Sequence, residues 1–543
     1  MTDPLIDNPA VKTSPANIAA GTHVAENQAA GTQQFRSQVG HISRQSGVFF
    51  AGTIFTTAFG YVFKVYLARV LGAEALGIYA LGMTVVGLVG IFGGLGLTWA
   101  ASRFPPAYCS TGRLEDLRSF LGWSVLSLVS VNALFALGVI VARHWIADSL
   151  YHTRALASYL YLFALIMFLG ALTTFFAQLL TGYKEIAKRT LITNIGASLL
   201  TMLFTVVLVE LGTGLWGYIF AQVASAVVVL IVLAWVTHRL TPSGARFSFR
   251  SIHSPPREMF SFASAAFAMD IVGFLYSQTD KVVLGFYLNA RSVGIYAVAA
   301  AIVAFVPIAL QSVNQIFSPT IADLHARGES AMLNRLFRIL TKWIFGLTLP
   351  LAAVVVVFSR VLMRVFGHDF EAGWVILVIG TAGQLVNCAV GSVGYLLLMS
   401  GHERRLVRIQ LVAGVVTVSC CLLLVPRWGI VGAAVAAALG NAGSNAWCLW
   451  EVKKVLGLFP YNRGYWRLAM PAGVALATAI GLRIVLQPAH PDILVVVFAM
   501  VSVYAVFAGA VLLFGLEADD RLIAAAIWAR IRGIFPGSQE GVA

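Results

Sequence analysis

The chain has 543 residues, of which 59% are hydrophobic and 11% charged, with a formal net charge of +14. A soluble globular chain carries about 25% charged residues, so a water-soluble fold is excluded. Nucleic-acid binding is not indicated either, because the Lys and Arg residues lie in short segments between apolar runs rather than on one basic domain.

Residues 1–45 are polar, lack any apolar period and read as a disordered cytoplasmic tail. They do not have the charged start, apolar core and cleavage site of a signal peptide. Fourteen apolar runs follow, most near the roughly 20 residues that a helix needs to cross a bilayer. Six lie at 46–70, 77–101, 119–141, 156–180, 191–211 and 215–237, and form an N-terminal bundle, 46–237. A cytoplasmic linker, 238–258, leads to six more at 259–287, 293–317, 338–358, 372–399, 408–425 and 429–450, a C-terminal bundle over 259–450. An extra helix pair, 466–487 and 491–515, precedes a basic cytoplasmic tail at 516–543. Backbone groups in lipid must bond within their own segment, and the alternating pattern of a barrel is absent. The predicted fold class is therefore an all-α polytopic membrane protein of about 14 transmembrane helices.

The chain spells its main pattern twice. Lys64 precedes Gly77-Ile78-Tyr79-Ala80 by thirteen residues, and Lys281 precedes Gly294-Ile295-Tyr296-Ala297 by thirteen, an offset of 217. Leu180-Thr181-Gly182 echoes in Met399-Ser400-Gly401 at an offset of 219, and Trp216-Gly217 in Val431-Gly432 at 215. Three near-equal offsets predict two homologous halves of about six helices each, and a duplicated helix bundle is the build of a transporter.

Orientation follows from the positive-inside rule. With the N-terminus in the cytoplasm, inward segments hold 27 of the 37 Lys and Arg residues, outward segments 7, and 3 (Lys64, Lys281 and Arg483) fall within spans. Both termini are thus expected inside. An even number of spans per half makes the repeats parallel, related by an axis along the membrane normal. The longest outward loop has about fourteen residues, and no soluble domain interrupts the bundle. The five cysteines show no metal-ligand spacing, and no metal site is expected.

Several segments carry a resemblance. They are Leu71-Gly72-Ala73-Glu74-Ala75-Leu76-Gly77-Ile78-Tyr79-Ala80, Thr279-Asp280-Lys281-Val282-Val283-Leu284-Gly285, Val293-Gly294-Ile295-Tyr296-Ala297 and Phe317-Ser318-Pro319-Thr320-Ile321-Ala322. Ser400-Gly401-His402-Glu403 and Gly429-Ile430-Val431-Gly432-Ala433-Ala434 complete the set. In this order, over about residues 40–515, the chain resembles the polysaccharide-biosynthesis flippases of the multidrug/oligosaccharidyl-lipid/polysaccharide (MATE-like) exporter superfamily. The resemblance implies two bundles around a cavity that carries a lipid-pyrophosphate-linked oligosaccharide to the outer leaflet by alternating access.

The sharpest candidates for substrate binding are Lys64 and Lys281. A cation within a span costs ~2.5–3.5 kcal/mol on insertion scales, so it faces water, a partner or an anion. The other reading of each is snorkelling to the interface or pairing with a carboxylate. Asp280 is expected to form a structural ion pair across the bundle with Lys64, and is a candidate for ion coupling. Asp270, near the middle of its span, is the other coupling candidate, for a proton or sodium ion, against a plain hydrogen-bonded role. Gln278, Gln311, Asn314, Gln384 and Asn387 are candidates to line a hydrated path and contact sugar hydroxyls, unless they only join helices. Arg44 and Arg103 mark cytoplasmic mouths, where a basic rim attracts anionic headgroups. Pro307 should kink its span.

The expected function is translocation of a lipid-linked oligosaccharide across the cytoplasmic membrane for surface or exopolysaccharide biosynthesis. An ion-coupled drug or cation antiporter of the same superfamily is the nearest alternative, and a membrane polysaccharide polymerase or ligase the alternative of another class. Neither paired carboxylates in a large loop nor a Walker-type phosphate loop is present, so no enzyme activity and no cofactor are expected. The expected partners are the lipid-linked oligosaccharide and membrane lipids, with a polymerase or export machinery as a candidate.

Overall fold

The computed structural model describes residues 56, 59–245, 257–486 and 493–513. The 1–45 tail with Arg44, the start of the first span, part of the 238–258 linker and the 516–543 tail lie outside the described residues.

Among the described residues the fold is helical, with no strand. The first group comprises α1 (Phe59–Gly94), α2 (Leu97–Ser110), α3 (Leu114–Val141), α4 (Leu160–Gly182), α5 (Ile186–Glu210) and α6 (Gly214–Leu240). Then come α7 (Arg257–Tyr287), α8 (Ala290–Val303), α9 (Ile308–Ala326), α10 (Ser330–Val357), α11 (Ser359–Phe366), α12 (Trp374–Val390), α13 (Val393–Met399) and α14 (Glu403–Leu456). A last pair, α15 (Ala469–Leu486) and α16 (Ile493–Leu513), packs on α10. The Arg483 guanidinium in α15 donates to the Val357 carbonyl at 2.8 Å, which gives this in-span cation an acceptor at the end of α10.

Among the described residues ten helices are long and apolar enough to cross a membrane, or eleven if α8 and α9, which meet at a 52° bend, form one span. The chain is a multi-pass membrane protein. The difference from the expected fourteen has identifiable causes. At about 1.5 Å per residue, the 36 residues of α1 would reach roughly 54 Å as a straight rod, well beyond a hydrocarbon core of ~30 Å. Instead Gly72 sits at φ +79 inside it, a conformation open to glycine. The arms on either side lie against one ring: the Tyr218 centroid is 6.3 Å from Phe63 and 4.9 Å from Tyr79.

The 54 residues of α14 turn in the same way at Gly429 (φ 57, ψ −133). A Cβ on Gly432 would collide with the backbone of Leu424, one on Gly440 would collide with the Thr417 side chain, and Arg405 pairs with Glu451 at 2.7 Å. The two numbers of each pair sum to 856 or 857, as in an antiparallel hairpin. Asn441 and Asn445 lower the hydropathy of its second arm.

The largest buried cluster joins residues of the range 67–223 to residues of 283–436. At one crossing the helices approach closely enough to require glycine. A Cβ on Gly77 would collide with the backbone of Ala290, and one on Gly294 with that of Ala73. Ala73 and Gly77 stand 217 residues before Ala290 and Gly294, so each copy of the duplicated motif meets the other through the same small residues.

Candidate functional site

This crossing borders a cavity of about 700 Å³. Both repeat lysines line it, Lys64 from the first arm of α1 and Lys281 from α7, with Tyr61, Tyr79, Tyr218 and Gln278. The Lys281 ammonium donates to the Gln278 side-chain oxygen at 2.8 Å. The Lys64 ammonium sits 5.2 Å from the centre of the Tyr61 ring, and the Tyr61 hydroxyl donates to the Ala301 carbonyl. A cation over an aromatic face is held by the ring quadrupole yet keeps its donors available. Among the described residues no Asp or Glu lines the cavity and neither ammonium has an ion pair.

The expected Lys64–Asp280 pair is therefore corrected. Asp280 accepts the Tyr296 hydroxyl at 2.6 Å and its neighbour's backbone N–H, from Lys281, at 2.8 Å. Neighbours on a helix point about 100° apart, so Asp280 turns away as Lys281 enters the cavity. Its partner Tyr296 belongs to the duplicated motif. The equivalent tyrosine, Tyr79, lines the cavity and donates to the Gln222 side-chain oxygen at 3.2 Å, so the two copies perform different tasks.

The other candidates are distributed around this centre. Asp270 lies away from the lysines and accepts the Trp99 indole N–H at 3.1 Å, which matches the hydrogen-bonded reading. The Arg103 guanidinium stacks on Phe262 at 4.6 Å, at the close approach of Gly96 to Ala263, and does not line the cavity. Gln311, Asn314 and Asn387 line a separate cavity of about 430 Å³, and Gln384 supports it by accepting from the Asn387 amide at 3.0 Å. Pro307 stands at the break between α8 and α9, as its missing backbone donor requires. Sequence reasoning missed Tyr61, Tyr218 and the hydroxyl-bearing cavity of about 450 Å³ that Lys64 also lines with Thr173, Thr174, Ser198 and Gln222. Tyr79, in the repeated motif, was the available signal; the others carried none, because aromatic residues near span ends are common as interface anchors.

Known proteins share this architecture. A family model described as "Polysaccharide biosynthesis protein" matches residues 42–325, which is more than half of the chain. The chain belongs to the polysaccharide biosynthesis protein family. The probable low-salt glycan biosynthesis flippase Agl15 of Haloferax volcanii is 25% identical over 408 residues, covering 74% of this chain and 81% of that protein. The probable flippase AglR of the same organism is 24% identical over 299 residues, or 53% of this chain and 61% of that one. Among solved structures, the lipid II flippase MurJ in an inward closed conformation superposes with a TM-score of 0.65 at 13% identity, over 85% of this chain and 97% of that chain. An inward-facing multidrug resistance MATE family transporter of the MOP superfamily gives 0.58 at 15% identity, over 74% and 94%. This member of the polysaccharide biosynthesis family thus has the fold shared by MurJ and the MATE transporters.

Proposed function

We propose that this polysaccharide biosynthesis protein is a flippase for a lipid-linked oligosaccharide, which it carries across the cytoplasmic membrane by alternating access. One observation carries the reading: two lysines at equivalent repeat positions meet in one cavity that no carboxylate lines. Unpaired ammonium groups in such a place are costly, and an anion between them offsets the cost. A pyrophosphate bridging a polyprenyl chain and a glycan is such an anion. The same field repels organic cations, which counts against the drug and cation antiporter. It offers no general base for sugar transfer, which counts against a polymerase or ligase, so the protein moves its cargo without breaking a bond. The two relatives named as flippases support the reading. The direct test is translocation of the lipid-linked glycan in proteoliposomes.

The finer architecture belongs to the same proposal. Splitting α1 and α14 at their glycines, joining α8 to α9 and counting α7 restores fourteen spans. The reciprocal contacts of Ala73 and Gly77 with Ala290 and Gly294 are what a two-fold axis between 46–237 and 259–450 produces. With 27 Lys and Arg residues inward against 7 outward, both termini face the cytoplasm. Reporter fusions after residues 145, 290 and 365 should read outside, and fusions after 110 and 460 inside. A C-terminal fusion reading outside would refute the orientation. Asp270 and Asp280, both in α7, are the proposed coupling groups for a proton or sodium ion, and imposed gradients in the proteoliposome assay test this. A polymerase or export machinery would receive the flipped product.

A further inference from the structure

Three residues beyond Ala304, the last α8-side residue lining the lysine cavity, Pro307 begins the lining of the 430 Å³ cavity. Two helices break at it. One is the bent α8–α9 pair, whose Pro307 lines the wall; the other is α12, which ends at Val390 before Gly391 (φ +71) and Ser392, both lining residues. Interrupted helices at membrane depth are tolerated where the freed backbone faces a cavity, and such breaks mark binding sites in transporters.

The wall chemistry is uniform. Gln311, Asn314, Gln315, Asn387, Tyr395 and Asn445 supply amides and a phenol, and among the described residues no charged one lines the space. Helix–helix glue would use those amides up. Here Asn314 is 8% exposed and Ser392 3%, yet the Asn314 side-chain oxygen and the Ser392 hydroxyl have no hydrogen-bond partner. The Asn387 amide donates one bond to the Gln384 side-chain oxygen, and the Asn445 amide donates to the backbone and side-chain oxygens of Asn441; each of these bonds stays within one helix.

Resting on the flippase reading, we propose that this cavity is a glycan subsite: it binds sugar hydroxyls of the cargo while the adjoining lysines hold the pyrophosphate. A sugar hydroxyl both donates and accepts, as a carboxamide does, so a ring of neutral amides meets it without a charge to desolvate. A bare cation fits the site poorly. It would meet no carboxylate, and the volume is within the roughly 300–1,000 Å³ of small-molecule sites, far above the ~30 Å³ of a water. Gln311 and Gln315 are exposed and Asn387 is half-buried, so the wall is open to a ligand.

The experiment uses the full-length protein in lipid nanodiscs and two probes: polyprenyl-pyrophosphate oligosaccharide extracted from the producing cells, and polyprenyl pyrophosphate without sugar. Gln311→Leu and Asn387→Leu should each weaken binding of the glycosylated probe about tenfold, while affinity for the sugar-free probe stays within twofold. Retained binding of the sugar-free probe shows that the variants fold; should Asn387→Leu fail to fold, Gln311→Leu at its exposed position carries the test alone. Unchanged affinity for the glycosylated probe would overturn the subsite and leave the flippase reading standing. Equal losses for both probes would also overturn it, by assigning the pocket to the headgroup. Sodium-dependent stabilisation lost in the variants with glycan binding intact would assign the pocket to a cation instead. A parent protein that binds neither probe would bring down the flippase reading and the subsite together.

Discussion

Lys64→Ala and Lys281→Ala are each expected to lower translocation of the lipid-linked glycan by at least tenfold. A hydrogen bond to a charged group is worth about 1.5–3 kcal/mol, and about 1.4 kcal/mol is a factor of ten. Both ammonium groups line one cavity, so their effects should not add: the double variant falls little below either single one. Arg substitutions keep the charge on a larger, planar head and should recover part of the activity, whereas Gln should not. The protein should remain folded, because Asp280 is held by Tyr296 and loses no partner when a lysine is removed. Thermal stability is expected to stay the same or to rise, since an unpaired cation has left the cavity. Full polymer export in complemented cells, with normal expression of both Ala variants, would reduce the lysines to interface anchors.

The largest effect on stability is expected at the base of the α14 hairpin. Glu451 is 3% exposed, and its carboxylate pairs with Arg405 at 2.7 Å and with Arg408 at 3.9 Å. Arg405 is itself about 40% exposed, and removing it leaves a buried carboxylate short of a donor, at a cost of about 1–3 kcal/mol. Arg405→Ala should therefore destabilise the protein on that scale, softened only by the more exposed Arg408. Glu451→Gln removes the buried charge itself and should cost less. Thermal unfolding in detergent measures both. An Arg405→Ala protein as stable as the parent would mean that the two arms are not closed by this pair.

The contrast between these sites shows what the sequence could and could not convey. Lys64 and Lys281 were legible because a cation in a span has few stable environments and because the repeat fixed their equivalence. The turns at Gly72 and Gly429 were legible as boundaries between apolar runs, although the backbone runs through both as nominally continuous helix. The destination of Asp280 was not legible. A carboxylate within a span suggested an ion pair with Lys64 across the bundle, but side-chain direction gave it to Tyr296, which the sequence marked only as part of the repeated motif. Asp270 shows the same limit, since its donor Trp99 lies 171 residues away. The amides of Gln311, Asn314 and Asn387 were visible as polar residues in spans, but only three-dimensional placement separates a shared cavity from helix-to-helix bonds.

The central claim is most directly tested by reconstitution. Proteoliposomes would be loaded with the polyprenyl-pyrophosphate oligosaccharide of the producing cells, and exposure of its glycan on the opposite leaflet followed with a membrane-impermeant sugar-oxidising reagent. The account predicts that the wild-type protein makes the protected half of the glycan reactive, that protein-free liposomes do not, and that Lys64→Ala and Lys281→Ala proteoliposomes are at least tenfold slower. Wild-type proteoliposomes that leave the inner glycan protected, yet expel an organic cation under an imposed ion gradient, would contradict it.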